Sequence, residues 1–152
     1  MLKSMKIGDI AEQELIDHLN KIGMKAEKNT DKNLRLDFDV VAQYNGQVLT
    51  FEVKNDAMAS KTGNMCIEYH NTKKDAASGL YATKANWWVH KLDDTLWIIK
   101  VSDLLSFTAT EKPDKTIKSG GDKNANLFIY KIDRFTSVAK ELSSFVKPED
   151  LL

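Results

Sequence analysis

Only one cysteine, Cys66, occurs in the 152 residues, which excludes an internal disulfide and a cysteine-rich zinc site and suits a reducing compartment. An excess of either charge is also absent. The 22 Lys and Arg residues offset 22 Asp and Glu, so overall charge points to no nucleic acid, membrane surface or acidic partner, and any nucleic-acid binding must come from local patches. No apolar run approaches the roughly 18 residues of a membrane span, and the opening MLKSMKIGDIAEQ has no apolar signal-peptide core. These absences predict a cytoplasmic protein with no membrane attachment. There are no repeats and no low-complexity tract. With 42% hydrophobic residues the chain can bury one sizeable core, and residues 1–152 are expected to form a single domain.

Ile7, Ala11, Leu15, Leu19 and Ile22 recur at steps of three and four ahead of Gly23, which predicts a first helix with a glycine at its C-terminal end. Alternating apolar residues on both sides of Asn45-Gly46 predict a hairpin over DFDVVAQYNGQVLTFEVK, from Asp37 to Lys54. NMCIEYH reads as a third strand, SGLYATKAN as a short helix or turn, and WWVHKL and TLWIIKV as a second hairpin around Asp93-Asp94. SDLLSFTA is predicted helical and NLFIYKI a late strand, after a polar loop over EKPDKTIKSGGDKNAN. TSVAKELSSFV is predicted as a closing helix, stopped before Pro148. The order predicts a mixed α/β domain around one sheet.

A two-residue turn at Asn45-Gly46 places Asp39 opposite Glu52 and Asp37 opposite Lys54. Side chains alternate along strands, so these four share one face, while Phe38, Val40, Ala42, Leu49, Phe51 and Val53 share the other, the core face. Like charges directly opposed weaken a sheet. Two carboxylates about 5 Å apart repel by roughly 1–3 kcal/mol between bulk water and a partly buried surface. A divalent cation would turn that repulsion into binding, and all-oxygen donors without Cys or nearby His favour Mg²⁺ or Mn²⁺ over zinc. The plainer alternative is a surface pair, Asp37 with Lys54, beside two solvated acids. On the first helix Glu12 falls at one edge of the apolar stripe and Glu14 at the other, and either can be an ordinary boundary glutamate or lean over the sheet.

The helical IAEQELIDHLNKIG, the strand LDFDVVAQ and the strand TFEVK after the Asn-Gly turn together resemble the PD-(D/E)XK nuclease superfamily, nearest to Holliday junction resolvase-like and small phage-type nucleases. Glu52, Val53 and Lys54 match the ExK element, Asp39 thirteen residues earlier the acidic position, and Ala11-Glu12 the helical glutamate. Phe38 stands where the proline of the motif's name would be. The resemblance implies an α/β, restriction-endonuclease-like core: helix, three-stranded meander, helix and strand, a mixed central sheet flanked by helices. It implies a Mg²⁺-dependent endonuclease acting on DNA, with Asp39, Glu52 and the Val53 carbonyl as metal ligands and Glu12 at a second or water-mediated position. Lys54 would orient or deprotonate the attacking water, with Asp37 restraining it. The rival reading is a catalytically silent nuclease-fold protein that binds DNA or serves as an accessory. A homodimer would supply two sites if both strands are cut.

Lys61, Lys73, Lys74 and Lys84 follow the ExK strand and are candidates for a phosphate path, as well as for plain solvated lysines. For Glu68 and His70, which share a strand face, and for His18 on the apolar side of the first helix, structural roles are the stronger reading. Trp87, Trp88 and Trp97 are expected to anchor the core, with an exposed one able to stack on an unpaired base, and Cys66 to be a small buried hydrophobe. The loop from Glu111 to Asn126 is a candidate flap over DNA, although a plain surface loop is the simpler expectation.

Overall fold

The computed structural model describes residues 7–31, 37–57, 59–120 and 124–152. Helix α1 (Ile7–Lys21) leads into a meander of β1 (Lys25–Lys28), β2 (Val40–Tyr44) and β3 (Gln47–Asp56). A one-turn helix α2 (Ala59–Thr62), strands β4 (Asn64–Asn71) and β5 (Ala76–Ala77) and a 3₁₀ turn at Gly79–Tyr81 follow. Then come β6 (Trp87–Leu92), β7 (Thr95–Lys100), α3 (Val101–Thr110), β8 (Lys115–Gly120), β9 (Ala125–Lys131), α4 (Ile132–Thr136) and β10 (Lys140–Glu141). Leu36, within the predicted strand, and residues 121–123 of the predicted loop lie outside the described residues.

Two sheets form, where the sequence order suggested one. The larger runs β1-β2-β3-β6-β7-β10 and is mixed, with β3 and β6 parallel and its other neighbours antiparallel. The smaller runs β5-β4-β9-β8. NMCIEYH is therefore a strand, as expected, but of the second sheet, and the third strand of the meander is the unanticipated β1.

One face of the large sheet carries Val40, Ala42, Phe51, Val53, Val89 and Ile98 against Ala11, Leu15 and Leu19 of α1. The other carries Trp88, Leu92 and Ile99 against the second sheet, α3 and α4, through Met65, Ile67, Leu104, Tyr130 and Phe135. Both faces are thus covered, and the face bearing Glu52 is no solvent-exposed surface. Burying a side chain such as Leu15 contributes about 1.5–3 kcal/mol, so the two clusters hold the sheet from both sides.

Turn chemistry sets the hairpin. Asn45 and Gly46 both adopt positive φ, 49° and 77°, as a two-residue turn matched to the twist of its strands requires. Tyr44 pairs with Gln47 and Val40 with Phe51, the predicted register. The ladder stops at Val40, however, so Asp37, Phe38 and Asp39 leave the strand. Phe38 consequently packs toward the second cluster, opposite to its predicted face.

The closing helix does not form as predicted. Ala139 is buried in the second cluster whereas Leu142 and Phe145 are buried in the first, so this segment passes around the sheet edge. It does so as the short strand β10 on β7, followed by 3₁₀ turns at Leu142–Ser144 and Pro148–Leu151. One straight helix could not serve both faces. The predicted polar loop likewise contains β8, an edge strand on β9 whose lysines and threonine conceal its alternation.

Candidate active site

Where the chain leaves β2, Asp39 stays anchored to β3. Its N–H donates to the Phe51 carbonyl at 2.9 Å, and its carboxylate accepts the Val53 N–H at 2.8 Å. That step off the ladder swings the Asp39 carboxylate against Glu52, with which it shares a hydrogen bond. Glu52 pairs with Trp88 on the parallel strand β6 and is 8% exposed. Burial, then the hydrogen bond that the protonated Glu52 donates to the Asp39 carboxylate, and Asp39's charge push the Glu52 carboxyl up to about 8 from 4.5, while Lys54 and a hydrogen bond with Thr83 pull the other way. The proton so retained relieves the repulsion anticipated between the two acids.

Lys54, two residues along the same strand face, sets its Nζ 3.5 Å from Glu52 Oε2 and 5.8 Å from the centre of the Trp88 ring. Asp37 does not pair with Lys54 as predicted. With the ladder ended, its carbonyl instead accepts the Lys84 N–H at 3.0 Å and the Thr83 hydroxyl at 3.2 Å, and its carboxylate lies 3.9 Å from Lys84 Nζ. Asp37, Asp39, Glu52 and Lys54 form one side of a cleft of about 450 Å³, and Asn71, Lys74, Ala77, Ser78, Gly79 and Thr83 complete it.

Glu12 does not line the cleft and lies 3.6 Å from Lys28. Its carboxyl is raised first by burial and next by the charge of Asp39, which places it within electrostatic reach of Asp39. Glu14 turns elsewhere, to an ion pair with Lys91 of β6. Of the two rivals on the helix, the one electrostatically coupled to the cleft is Glu12. Lys74 lines the cleft and Lys84 flanks it through Asp37, whereas Lys61 and Lys73 are exposed and do not line it.

Among the described residues no three His, Cys, Asp or Glu side chains are grouped closely enough to hold a metal by themselves. The donors present are two carboxylates, one of them buried and holding a proton that a cation would replace. This suits a hard divalent ion completed by a backbone oxygen and water, as Mg²⁺ commonly is, and not a zinc cage.

His18 is bound to the Phe145 carbonyl at 2.8 Å, and His70 faces Asp75 at 3.1 Å, both structural contacts. Trp87 and Trp88 are buried and Trp97 half-buried. Cys66 is half-buried rather than buried, its N–H held by the Asp56 carboxylate at 2.8 Å.

A second polar group escaped the sequence reading. The Trp88 indole N–H donates to His90 Nδ1 at 3.1 Å, leaving the ring proton on Nε2, which faces Asp56 Oδ2 at 3.2 Å. The alternation of Trp88 with His90, and of Glu52 with Lys54 and Asp56, already placed each set on one strand face; the missing information was the parallel pairing that joins them. A larger hollow of about 600 Å³ between α3 and α4, around Phe107 and Arg134, shares no residue with the cleft.

A helix, a meander carrying Asp39, Glu52 and Lys54, and a parallel strand beyond it define a restriction-endonuclease-like fold. Solved structures share it. The bacterial homing endonuclease I-Ssp6803I is similar at a TM-score of 0.51 and 24% identity, over 70% of this chain and 71% of that one. The Holliday junction resolvase Hjc of Archaeoglobus fulgidus is similar at a TM-score of 0.50 and 14% identity, over 91% of this chain and 94% of that one. No family model matches the sequence, and no curated protein does. No described helix is long and apolar enough to cross a membrane.

Proposed function

We propose that the protein is a metal-dependent DNA endonuclease that hydrolyses phosphodiester bonds, using Mg²⁺, for which Mn²⁺ can substitute. The observation that carries this is the buried Glu52 carboxyl set beside Asp39 in one cleft with the Lys54 ammonium 3.5 Å away, in a fold whose solved neighbours include DNA-cleaving enzymes.

In this reading Asp39 and Glu52 would hold the cation, with the Val53 carbonyl and water, and Glu12 would hold a second or water-mediated position. When bound, the cation supplies Lewis acidity toward the phosphate and charge neutralisation. Glu52 would serve such a cation as a carboxylate ligand. Lys54 orients the attacking water and offsets the negative charge that builds at phosphorus. Trp88 supports the Lys54 ammonium from below, and Asp37 places Lys84 at the cleft edge through the contacts of its carbonyl and carboxylate. Lys74 and Lys84 guide the phosphate backbone, and a homodimer in the cytoplasm would present two such clefts to the two strands.

The alternative, a silent DNA-binding or accessory protein of the same fold, is disfavoured because Glu12, Asp39, Glu52 and Lys54 are all present. The deciding experiment is nicking of supercoiled plasmid in Mg²⁺ or Mn²⁺, with EDTA and Glu52→Ala as controls. Nicking lost in both controls supports the enzyme. Plasmid that stays intact, with no rise in melting temperature on adding either metal, refutes it.

A further inference from the structure

We infer that Tyr81 is a stacking platform for an unpaired base, so that the substrate bound in the cleft is DNA with a single-stranded or displaced nucleotide beside the scissile phosphate. This deepens the nuclease reading and rests on it. Trp87 and Trp88 are buried, and Trp97 is half-buried against the second cluster. The large aromatic exposed among the described residues is Tyr81, at 50%. Its ring stands edge-on to Phe128 at 6.0 Å and to Tyr69 at 5.7 Å, and those two rings stack on each other at 4.1 Å. The edge is thereby fixed while half of the residue remains in solvent.

The backbone that carries Tyr81 is equally fixed. Its N–H donates to the Ser78 carbonyl, and the Ser78 N–H donates to that of Tyr69. Gly79 has φ +52°, and a Cβ there would lie 2.1 Å from the Glu68 carbonyl oxygen, so the turn is wedged against β4. Gly79 before Tyr81, and Ala82 and Thr83 after it, line the cleft that holds Glu52 and Lys54. Lys84 follows, with Lys74 in the same cleft, and both complement a phosphate backbone. Tyr81 itself does not line the cleft but sits in the same turn as the residues that do. In a stacked duplex both faces of each base are covered, so a fixed, exposed ring in that turn gains a partner only from a base that is unpaired or turned out.

The test is binding by full-length Glu52→Gln protein in Mg²⁺, a background in which no strand is cut. The probes are a blunt duplex and the same duplex with a single-stranded overhang carrying 2-aminopurine, followed by anisotropy and by fluorescence quenching. The inference expects tighter binding of the overhang DNA, with quenching. Tyr81→Phe should keep both, whereas Tyr81→Ala should weaken overhang binding by about tenfold, abolish quenching and leave the blunt duplex nearly unaffected. Tyr81→Leu preserves apolar packing on Phe128 without an aromatic face and should behave like Tyr81→Ala. Equal affinity for the two DNAs, or quenching that survives Tyr81→Leu, overturns the inference while plasmid nicking by the unmodified protein leaves the nuclease reading intact. Binding of neither DNA, together with absence of nicking, removes both.

Discussion

Replacing Glu52 by glutamine tests the electrostatics of the cleft without requiring any substrate. The carboxyl ionises near 8 in the folded protein against 4.5 ordinarily. A raised acid favours the folded state while it is protonated, so its contribution is fully present below 4.5 and is lost as pH rises through about 8. At roughly 1.4 kcal/mol per tenfold change in proton affinity, the full swing is on the order of 5 kcal/mol, a large part of the 5–15 kcal/mol typical of a domain. Glutamine has nearly the same shape, can donate to Asp39 and does not titrate. Urea unfolding of both proteins from pH 5 to pH 9 should give similar stabilities at the acid end. The variant should be the more stable by several kcal/mol at the alkaline end. Taking the difference between the two proteins removes every other titrating group. A difference that stays flat across this range would refute the buried, proton-holding arrangement. Mg²⁺ should narrow the gap at pH 8–9 by stabilising only the unmodified protein, by about 2.7 kcal/mol at a hundredfold excess over Kd.

Glu12→Gln should slow plasmid nicking by about tenfold, whereas Glu14→Gln, which disturbs only the Lys91 ion pair, should leave the rate within about twofold; the reverse ranking would overturn the placement of Glu12 at the site. His90→Phe takes away the acceptor of the Trp88 indole and one of the partners of Asp56, which still accepts the Cys66 N–H; at about 1–3 kcal/mol for the buried indole N–H left without an acceptor it should cost on the order of 2 kcal/mol in urea unfolding. A loss below about 1 kcal/mol would show that this network is not maintained in solution. Gly79→Ala places a methyl 2.1 Å from the Glu68 carbonyl oxygen at positive φ, so it should lower stability by at least about 2 kcal/mol; an unchanged melting temperature would refute that close approach.

The elements that the sequence disclosed are those governed by neighbouring residues. Asn45-Gly46 dictates its own turn and with it the register that brings Asp39 beside Glu52, and the apolar stripe of α1 needs no distant partner to be recognised. The failures share the opposite property. Nothing near Asp37 announces that the ladder ends at Val40, because its true partners, Thr83 and Lys84, lie more than forty residues away. β4 looks like any strand, and only its pairing with β9 assigns it to a second sheet. The short β10 and the two turns after it are imposed by passage around the sheet edge, a demand of the assembled protein and not of the local residues. The acidic cluster could be read locally, but the environment that raises Glu52 comes from a covered second face.

The crossover between β3 and β6 carries a consequence for how such a protein can change. Parallel pairing obliges the chain to leave the sheet after Asp56 and return at Trp87, and this excursion supplies Asn71, Lys74 and the Ala77–Gly79 side of the cleft. The carboxylates and the surface that faces them therefore belong to separable stretches of chain. Insertions or replacements in the excursion can remodel what the cleft admits while the acidic pair and its lysine keep their support from β2, β3 and β6. In the proposed nuclease, substrate preference can drift in one module as the chemistry is inherited unchanged in the other.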